Sequence, residues 1–183
     1  MTRNQPAVLI VEDEQRLREA YEQVLAPSYD ISTAATGADA IEAFSADLDI
    51  VLLDRRLPDI CGDEVLRELQ ARNYDCYVAM VSAVDPDFDI IELGIDDYLV
   101  KPVSTREISD AVERLLSLAE YDETQQELSQ KRVKRSVLAQ EKPNAELQHS
   151  DEFARLETEI EQLEAELDDM AEELSGIERE LTH

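Results

Sequence analysis

The chain has 183 residues, enough for one ordinary domain with a further segment to spare. Its 44 acidic against 17 basic residues give a formal net charge of -27, which excludes a surface that grips nucleic acid over its whole extent. Only Lys101, Lys131, Lys134 and Lys142 are lysines, and so acid-rich, lysine-poor a composition suits a salt-loving cytoplasm, where concentrated cation screens self-repulsion.

The apolar run AVLIV (7–11) predicts a buried strand; it is too short for a signal peptide or a membrane span and runs into Glu12, Asp13 and Glu14. A helical pattern follows through Leu17, Tyr21 and Val24 to Leu25. YDIST (29–33) predicts a second, weaker strand, and a helix follows near Ala38 to Ser45, with Ile41 and Phe44 three apart. DIVLL (49–53) predicts the third strand, and Gly62 to Arg72 a helix with Val65 and Leu69 four apart. Cys61 and Cys76 form neither a ligand cluster nor a disulfide framework and fit reduced, cytoplasmic thiols. YVAMVS (77–82) predicts the fourth strand and DYLV (97–100) the fifth, while Asp87 to Leu93 has room for a turn or two of helix at most. Ser104 caps a long helix that carries Ile108, Val112, Leu115 and Ala119 on one face.

Alternating strands and helices predict an α/β fold, a doubly wound five-stranded parallel sheet covered on both faces. In such a sheet the functional crevice lies beyond the carboxyl ends of the strands. Strand one ends in Glu12 and Asp13, strand three in Asp54, strand four in Ser82 and strand five in Lys101 and Pro102. A strand-end Asp54 alone would read as a turn cap. Lys101, however, is the only lysine in the first 130 residues, and it falls on the same edge. Three close carboxylates repel unless a cation sits among them, and oxygen ligands suit Mg²⁺. With the ion bound, Asp54 stays ionised and can attack phosphorus to form an acyl phosphate. The ion and Lys101 would neutralise the transferring oxygens, and Ser82 would donate a hydrogen bond to one of them.

Behind residue 120 the chain has no strand pattern. Phe153, Leu156, Ile160, Leu163, Leu167, Met170, Leu174, Ile177 and Leu181 alternate three and four apart, a heptad seam that predicts a coiled coil. Glu157, Glu159, Glu164, Glu166, Glu173, Glu178 and Glu180 flank the seam, so two such helices would repel in dilute buffer. Lys131, Arg132, Lys134 and Arg135 supply a basic arm, and Pro143 breaks the helix near 142–144. Either a homodimer or an intrachain hairpin of basic arm on acidic arm follows. The basic run lies in acidic surroundings without a recognition-helix pattern, which argues against direct DNA contact.

Four motifs in order, VLIVEDE, VLLDRRLPDICG, MVSA and DDYLVKP, resemble the receiver domain of two-component response regulators over residues 1 to about 120. The resemblance implies a flavodoxin-like sheet of order 2-1-3-4-5, with a partner histidine kinase loading Asp54 in the presence of Mg²⁺. It implies that Asp13 binds the ion directly, Glu12 through water, and the Arg56 backbone carbonyl completes the protein ligands. Ser82 matches the switch hydroxyl, Tyr98 the aromatic that swings inward, Lys101 the phosphate-binding amine, and Lys101-Pro102 the family's cis peptide. The segment from Ser82 to Lys101 is about a turn shorter than in typical receivers, which puts the usual dimer through the fourth helix in doubt. The remainder, 121–183, resembles the HalX domain of haloarchaeal response regulators through LAEYDETQQELSQKR and the later acidic helix. These resemblances imply a phosphoacceptor and not an enzyme, relaying its state through the tail. Three alternatives stand beside it: an oligomeric adaptor with a docking receiver, a transcription regulator acting through the tail, and a phosphatase. The last would carry a second acid two residues beyond Asp54, where Arg56 stands.

Overall fold

The computed structural model describes residues 5–84, 86, 88 and 90–176, with the last helix followed along its backbone to Leu181. Two compact units make up the chain, Met1–Leu116 and Ser117–His183.

In the first unit, strands β1 (Ala7–Val11), β2 (Asp30–Ala34), β3 (Ile50–Asp54), β4 (Tyr77–Ser82) and β5 (Asp97–Val100) form one parallel sheet of order β2-β1-β3-β4-β5. Helices α1 (Gln15–Leu25), α2 (Gly37–Ala43), α3 (Gly62–Ala71) and α4 (Ile90–Leu93) connect them, and α5 (Thr105–Glu141) follows β5. The central strands are apolar up to their carboxyl-terminal residues because both faces are covered, yet their alternation still sorts the side chains. Leu9, Val11, Val51, Leu53, Val78 and Met80 pack with Val65, Leu66 and Leu69 of α3. Val8, Ile10, Ile50, Leu52, Ala79 and Val81 pack with Tyr21 and Leu25 of α1 and Ile108, Val112 and Leu115 of α5. This is the flavodoxin-like arrangement, and it puts all five strand ends on one edge.

Several bounds differ from the sequence reading, each for a local reason. Val24 is 37% exposed, so the buried stripe of α1 runs through Tyr21 and Leu25 without it. β2 starts at Asp30, whose amide pairs with Pro6 O at 2.9 Å, and runs to Ala34. α2 starts at Gly37, where Thr36 Oγ1 accepts from the Asp39 amide, and ends before Phe44, which turns into the core. α3 stops at Ala71, with Arg72 as its cap. β3 runs one residue past Leu53, so Asp54 itself belongs to the ladder. α4 is a four-residue stub with no buried side chain; Asp87 and Asp89 of the segment expected there lie outside the described residues. A capping box starts α5: Ser104 Oγ accepts from the Glu107 amide while Glu107 accepts from the Ser104 amide at 2.8 Å.

The second unit begins inside α5, four residues before the boundary the sequence suggests. It holds the rest of that helix, a short α6 (Asn144–Leu147) and α7 (Asp151–Leu181). Proline lacks the amide a helix interior needs, so α5 ends at Glu141 and Pro143 caps α6. Leu128 of α5 packs with Ile160 and Leu167 of α7, joined by half-buried Tyr121, Leu156 and Leu163. Lys131 meets Glu159 and Arg132 meets Glu164, each at 2.8 Å. The arms therefore form an antiparallel hairpin, and Glu159 and Glu164 of the acidic flank find their bases within the same chain. Phe153, Met170 and Leu174 of the seam are half-buried; Ile177 and Leu181 lie outside the described residues.

Candidate functional site

Pairing of Val11 with Leu53 sets Glu12 one step further along β1, level with Asp54 on β3. The Glu12 amide still reaches Ala34 O at 3.0 Å, and the Lys101 amide reaches Ser82 O at 2.8 Å. Ladder bonds thus hold both residues just beyond the strands. By strand alternation, Glu12, Asp54 and Lys101 continue the rows of Ile10, Leu52 and Leu99, on the face covered by α1 and α5.

Lys101 Nζ lies 2.6 Å from Glu12 Oε2 and 2.6 Å from Asp54 Oδ2. Both acids are buried, at 2% and 5% exposure, so the ammonium supplies the compensation that buried charge requires. Burial opposes charge on Lys101, but the hydrogen bonds and charges of Asp54 and Glu12 outweigh it and raise its pKa above the ordinary lysine value. For Glu12, burial is the larger effect and pushes its carboxyl upward, while Lys101 pulls it back. Exposed Asp13 completes a cluster with Glu12 and Asp54 in which one oxygen from each lies within 4.8 Å of the others. One ammonium for three carboxylates leaves an excess of negative charge, and the donors are all hard oxygens. That set fits a small divalent cation such as Mg²⁺, held by Asp13 and Asp54 with Glu12 behind them.

Asp54 is fixed on both oxygens, since Oδ1 accepts from the Arg56 amide at 2.8 Å. Behind it, Gly62 opens α3 so tightly that an added Cβ would lie 2.5 Å from the Asp54 carbonyl oxygen. Ser82 is fully buried, and its Oγ accepts from the Val84 amide at 3.1 Å. Half-buried Tyr98 donates to Val84 O at 2.8 Å, so Val84 links the hydroxyl to the aromatic ring. The Lys101-Pro102 bond is cis.

Glu12, Asp54 and Lys101 are thus brought into direct contact, with Asp13 within metal-sharing reach and Ser82 at the neighbouring strand end. Sequence reasoning missed three supporting residues. Arg18 of α1 donates to Glu12 O at 2.6 Å and holds the acidic turn. Asp59 accepts from the amides of Gly37 and Ala38, both at 2.8 Å, and ties the loop after β3 to the start of α2. Arg55 grips Asp63 through two bonds of 3.0 Å. Only the last carried a signal, an arginine eight residues ahead of an acid in a helix's first turn.

Comparison with known proteins places this geometry. The model of the response regulator receiver domain matches residues 8–113, and that of the HalX domain matches 117–182. A protein of Haloferax volcanii named as a transcriptional regulator is 44% identical over 110 residues, covering 60% of this chain and 19% of its own length. The alkaline phosphatase synthesis transcriptional regulatory protein PhoP of Bacillus subtilis is 34% identical over 118 residues, covering 62% of this chain and 49% of its own length. The chain therefore spans half or less of these curated relatives. Among solved structures, the response regulator TrrA of Thermotoga maritima in complex with Mg²⁺-BeF is 31% identical with a TM-score of 0.55, over 61% of this chain and 99% of its own. The chain belongs to the response regulator receiver domain family and carries a HalX domain behind the receiver.

Proposed function

We propose that this chain is the phosphoacceptor of a two-component relay, with Asp54 taking a phosphoryl group from a histidine kinase in the presence of Mg²⁺. The observation that carries the reading is Lys101, the sole lysine in the first 130 residues, held 2.6 Å from both Glu12 and Asp54. In the transfer, the nitrogen–phosphorus bond of the kinase phosphohistidine breaks as a bond forms between phosphorus and an Asp54 oxygen. The imidazole leaves and takes a proton from water. Glu12, Asp13, Asp54 and the Arg56 carbonyl would hold the ion, which neutralises phosphoryl oxygens when bound. Lys101 would leave its carboxylate partners for a phosphoryl oxygen.

Ser82 would then turn its hydroxyl toward the phosphoryl group and release the Val84 amide it now accepts from. Because Tyr98 holds the carbonyl of that same residue, the change at Ser82 reaches Tyr98 through one residue. Relay into the tail is supported by α5, which starts in the receiver and continues into the second unit. Arg56, where a phosphatase would carry its second acid, favours a phosphoacceptor over an enzyme of external substrates. Both curated relatives are named as transcriptional regulators, which favours regulation of transcription by a partner that reads the hairpin. A cytoplasmic location belongs to the same reading.

The test is a titration with beryllofluoride and Mg²⁺ in molar salt, with mass followed by light scattering. Wild type is expected to bind, and Asp54→Asn to lose binding at least a hundredfold. A wild type that fails to bind would remove the phosphoacceptor role and leave an adaptor. A change of mass on binding would assign the output to self-assembly.

A further inference from the structure

Among the described residues, Tyr21 carries the one buried side-chain polar atom without a hydrogen-bond partner, its Oη, on a side chain 2% exposed. A hydroxyl shut away from water and left unpaired costs stability, so such an atom asks for an explanation. Tyr21 lies less than two turns into α1 and packs among Ile10, Leu52 and Ile108. Helical side chains lean toward the helix N-terminus, and α1 starts directly behind Glu12, Asp13 and Glu14. The phenol therefore reaches back toward the carboxylate edge. Arg18, three residues earlier on the same side of α1, already touches the Glu12 carbonyl at 2.6 Å. Burial first, and then the Glu12 charge, hold the Tyr21 hydroxyl above its ordinary pKa, so it stays a donor at neutral pH.

Glu12 supplies the matching acceptor. Its Oε1 takes the Glu14 amide at 3.2 Å, while its Oε2 has Lys101 at 2.6 Å. In the phosphoacceptor reading, on which this inference rests, Lys101 moves to a phosphoryl oxygen. Glu12, 2% exposed and behind the direct ligands of the ion, would then keep its Oε2 without the ammonium. We propose that Tyr21 is a positioning residue for Glu12, its hydroxyl donating, directly or through one enclosed water, to the oxygen that Lys101 gives up. An unpaired donor and a newly unpaired acceptor thus satisfy each other only in the loaded site. The resting protein carries the mismatch that loading relieves.

Tyr21→Phe removes the hydroxyl and keeps the ring. Three quantities are read: the resting melting temperature, the beryllofluoride affinity at fixed Mg²⁺, and the Mg²⁺ concentration that half-saturates the beryllofluoride complex. Expected are a melting temperature equal to or above wild type, an affinity lower by roughly ten- to a hundredfold, and a raised Mg²⁺ requirement, as the loss of one hydrogen bond to a charged group implies. Equal affinity and equal Mg²⁺ requirement in both proteins would overturn the role while leaving the phosphoacceptor reading intact. A variant that loses melting temperature together with affinity would also overturn it, because the hydroxyl would then have a resting partner. Failure of wild type to bind beryllofluoride would take down both readings together.

Discussion

At Gly62 a single hydrogen atom stands where any other residue would place a carbon, 2.5 Å from the Asp54 carbonyl oxygen and 2.8 Å from Arg55 Cα. Both neighbours are backbone, so neither can swing away. Gly62→Ala is expected to move the end of β3 and to weaken beryllofluoride binding more than tenfold, together with a lower melting temperature. A variant that binds as wild type does would show that the loop after Asp54 yields freely. The two thiols offer an independent check on the described interior. Burial, reinforced by the charges of Asp96, Asp75 and Asp49, pushes the Cys76 thiol up to about 11. Cys61 is exposed at the start of α3. At pH 8 a thiol reagent should modify Cys61 promptly and leave Cys76 almost untouched, because the thiolate is the reactive form. Labelling of Cys76 should quicken as pH rises toward 11, where thiolate accumulates. Comparable rates at pH 8 would contradict its half-buried place against the core just ahead of β4.

On the scale of elements, α2 and α5 each start on specific side-chain contacts, and these contacts differ in how readable they are. The capping box of Ser104 and Glu107 lies three residues apart and is visible in the sequence. Ser104→Ala is expected to cost about 1 kcal/mol, measured by denaturant unfolding. No change at all would mean that packing of Ile108, Val112 and Leu115 fixes the start of α5 without its cap. By contrast, α2 draws, beside its local Thr36 cap, on Asp59, which comes from the loop beyond the next strand and accepts the Gly37 and Ala38 amides. Those amide bonds hold the Asp59 carboxyl below its ordinary pKa. A contact across 22 residues leaves no local pattern to find. The stub α4 is the opposite case: Gly94, at φ +63, stands directly behind Leu93 and ends the helix after four residues, a stop that glycine marks in the sequence.

Taken as a whole, the molecule puts two kinds of interaction in two units. The receiver is held by two apolar layers on either side of a parallel sheet, with charge concentrated at its strand ends. The hairpin is held by a thin seam, in which Leu128, Ile160 and Leu167 are the buried apolar residues among those described. So small a core makes each member costly to lose. Ile160→Ala, at a side chain 2% exposed, is expected to destabilise the second unit by roughly 2–5 kcal/mol through lost contacts and a residual cavity. Circular dichroism should show the helical signal of the tail melting earlier while the receiver transition stays in place. Loss of both transitions together would mean that the units unfold as one. The Lys131–Glu159 and Arg132–Glu164 pairs order the hairpin arms more than they stabilise them, since at 1 M salt screening acts within ~3 Å.

What the sequence determined by itself was the layer architecture and the identity of the charged edge. Apolar runs of four to six residues alternating with helical periods admit only a covered parallel sheet, and strand ends in such a sheet share one edge by topology. Glu12, Asp13, Asp54, Ser82 and Lys101 could therefore be brought together before any coordinate was known. The heptad seam was equally legible, because a three-and-four spacing specifies an apolar face. Tertiary structure alone decided what that face meets, since a seam does not encode whether its partner is another chain or the preceding helix. It also decided which of the acids are buried, which oxygen of Glu12 depends on Lys101, and that the Tyr21 hydroxyl lies enclosed without a partner. Those are properties of distance and exclusion of water, set by residues far apart in the chain, and no spacing along the sequence carries them.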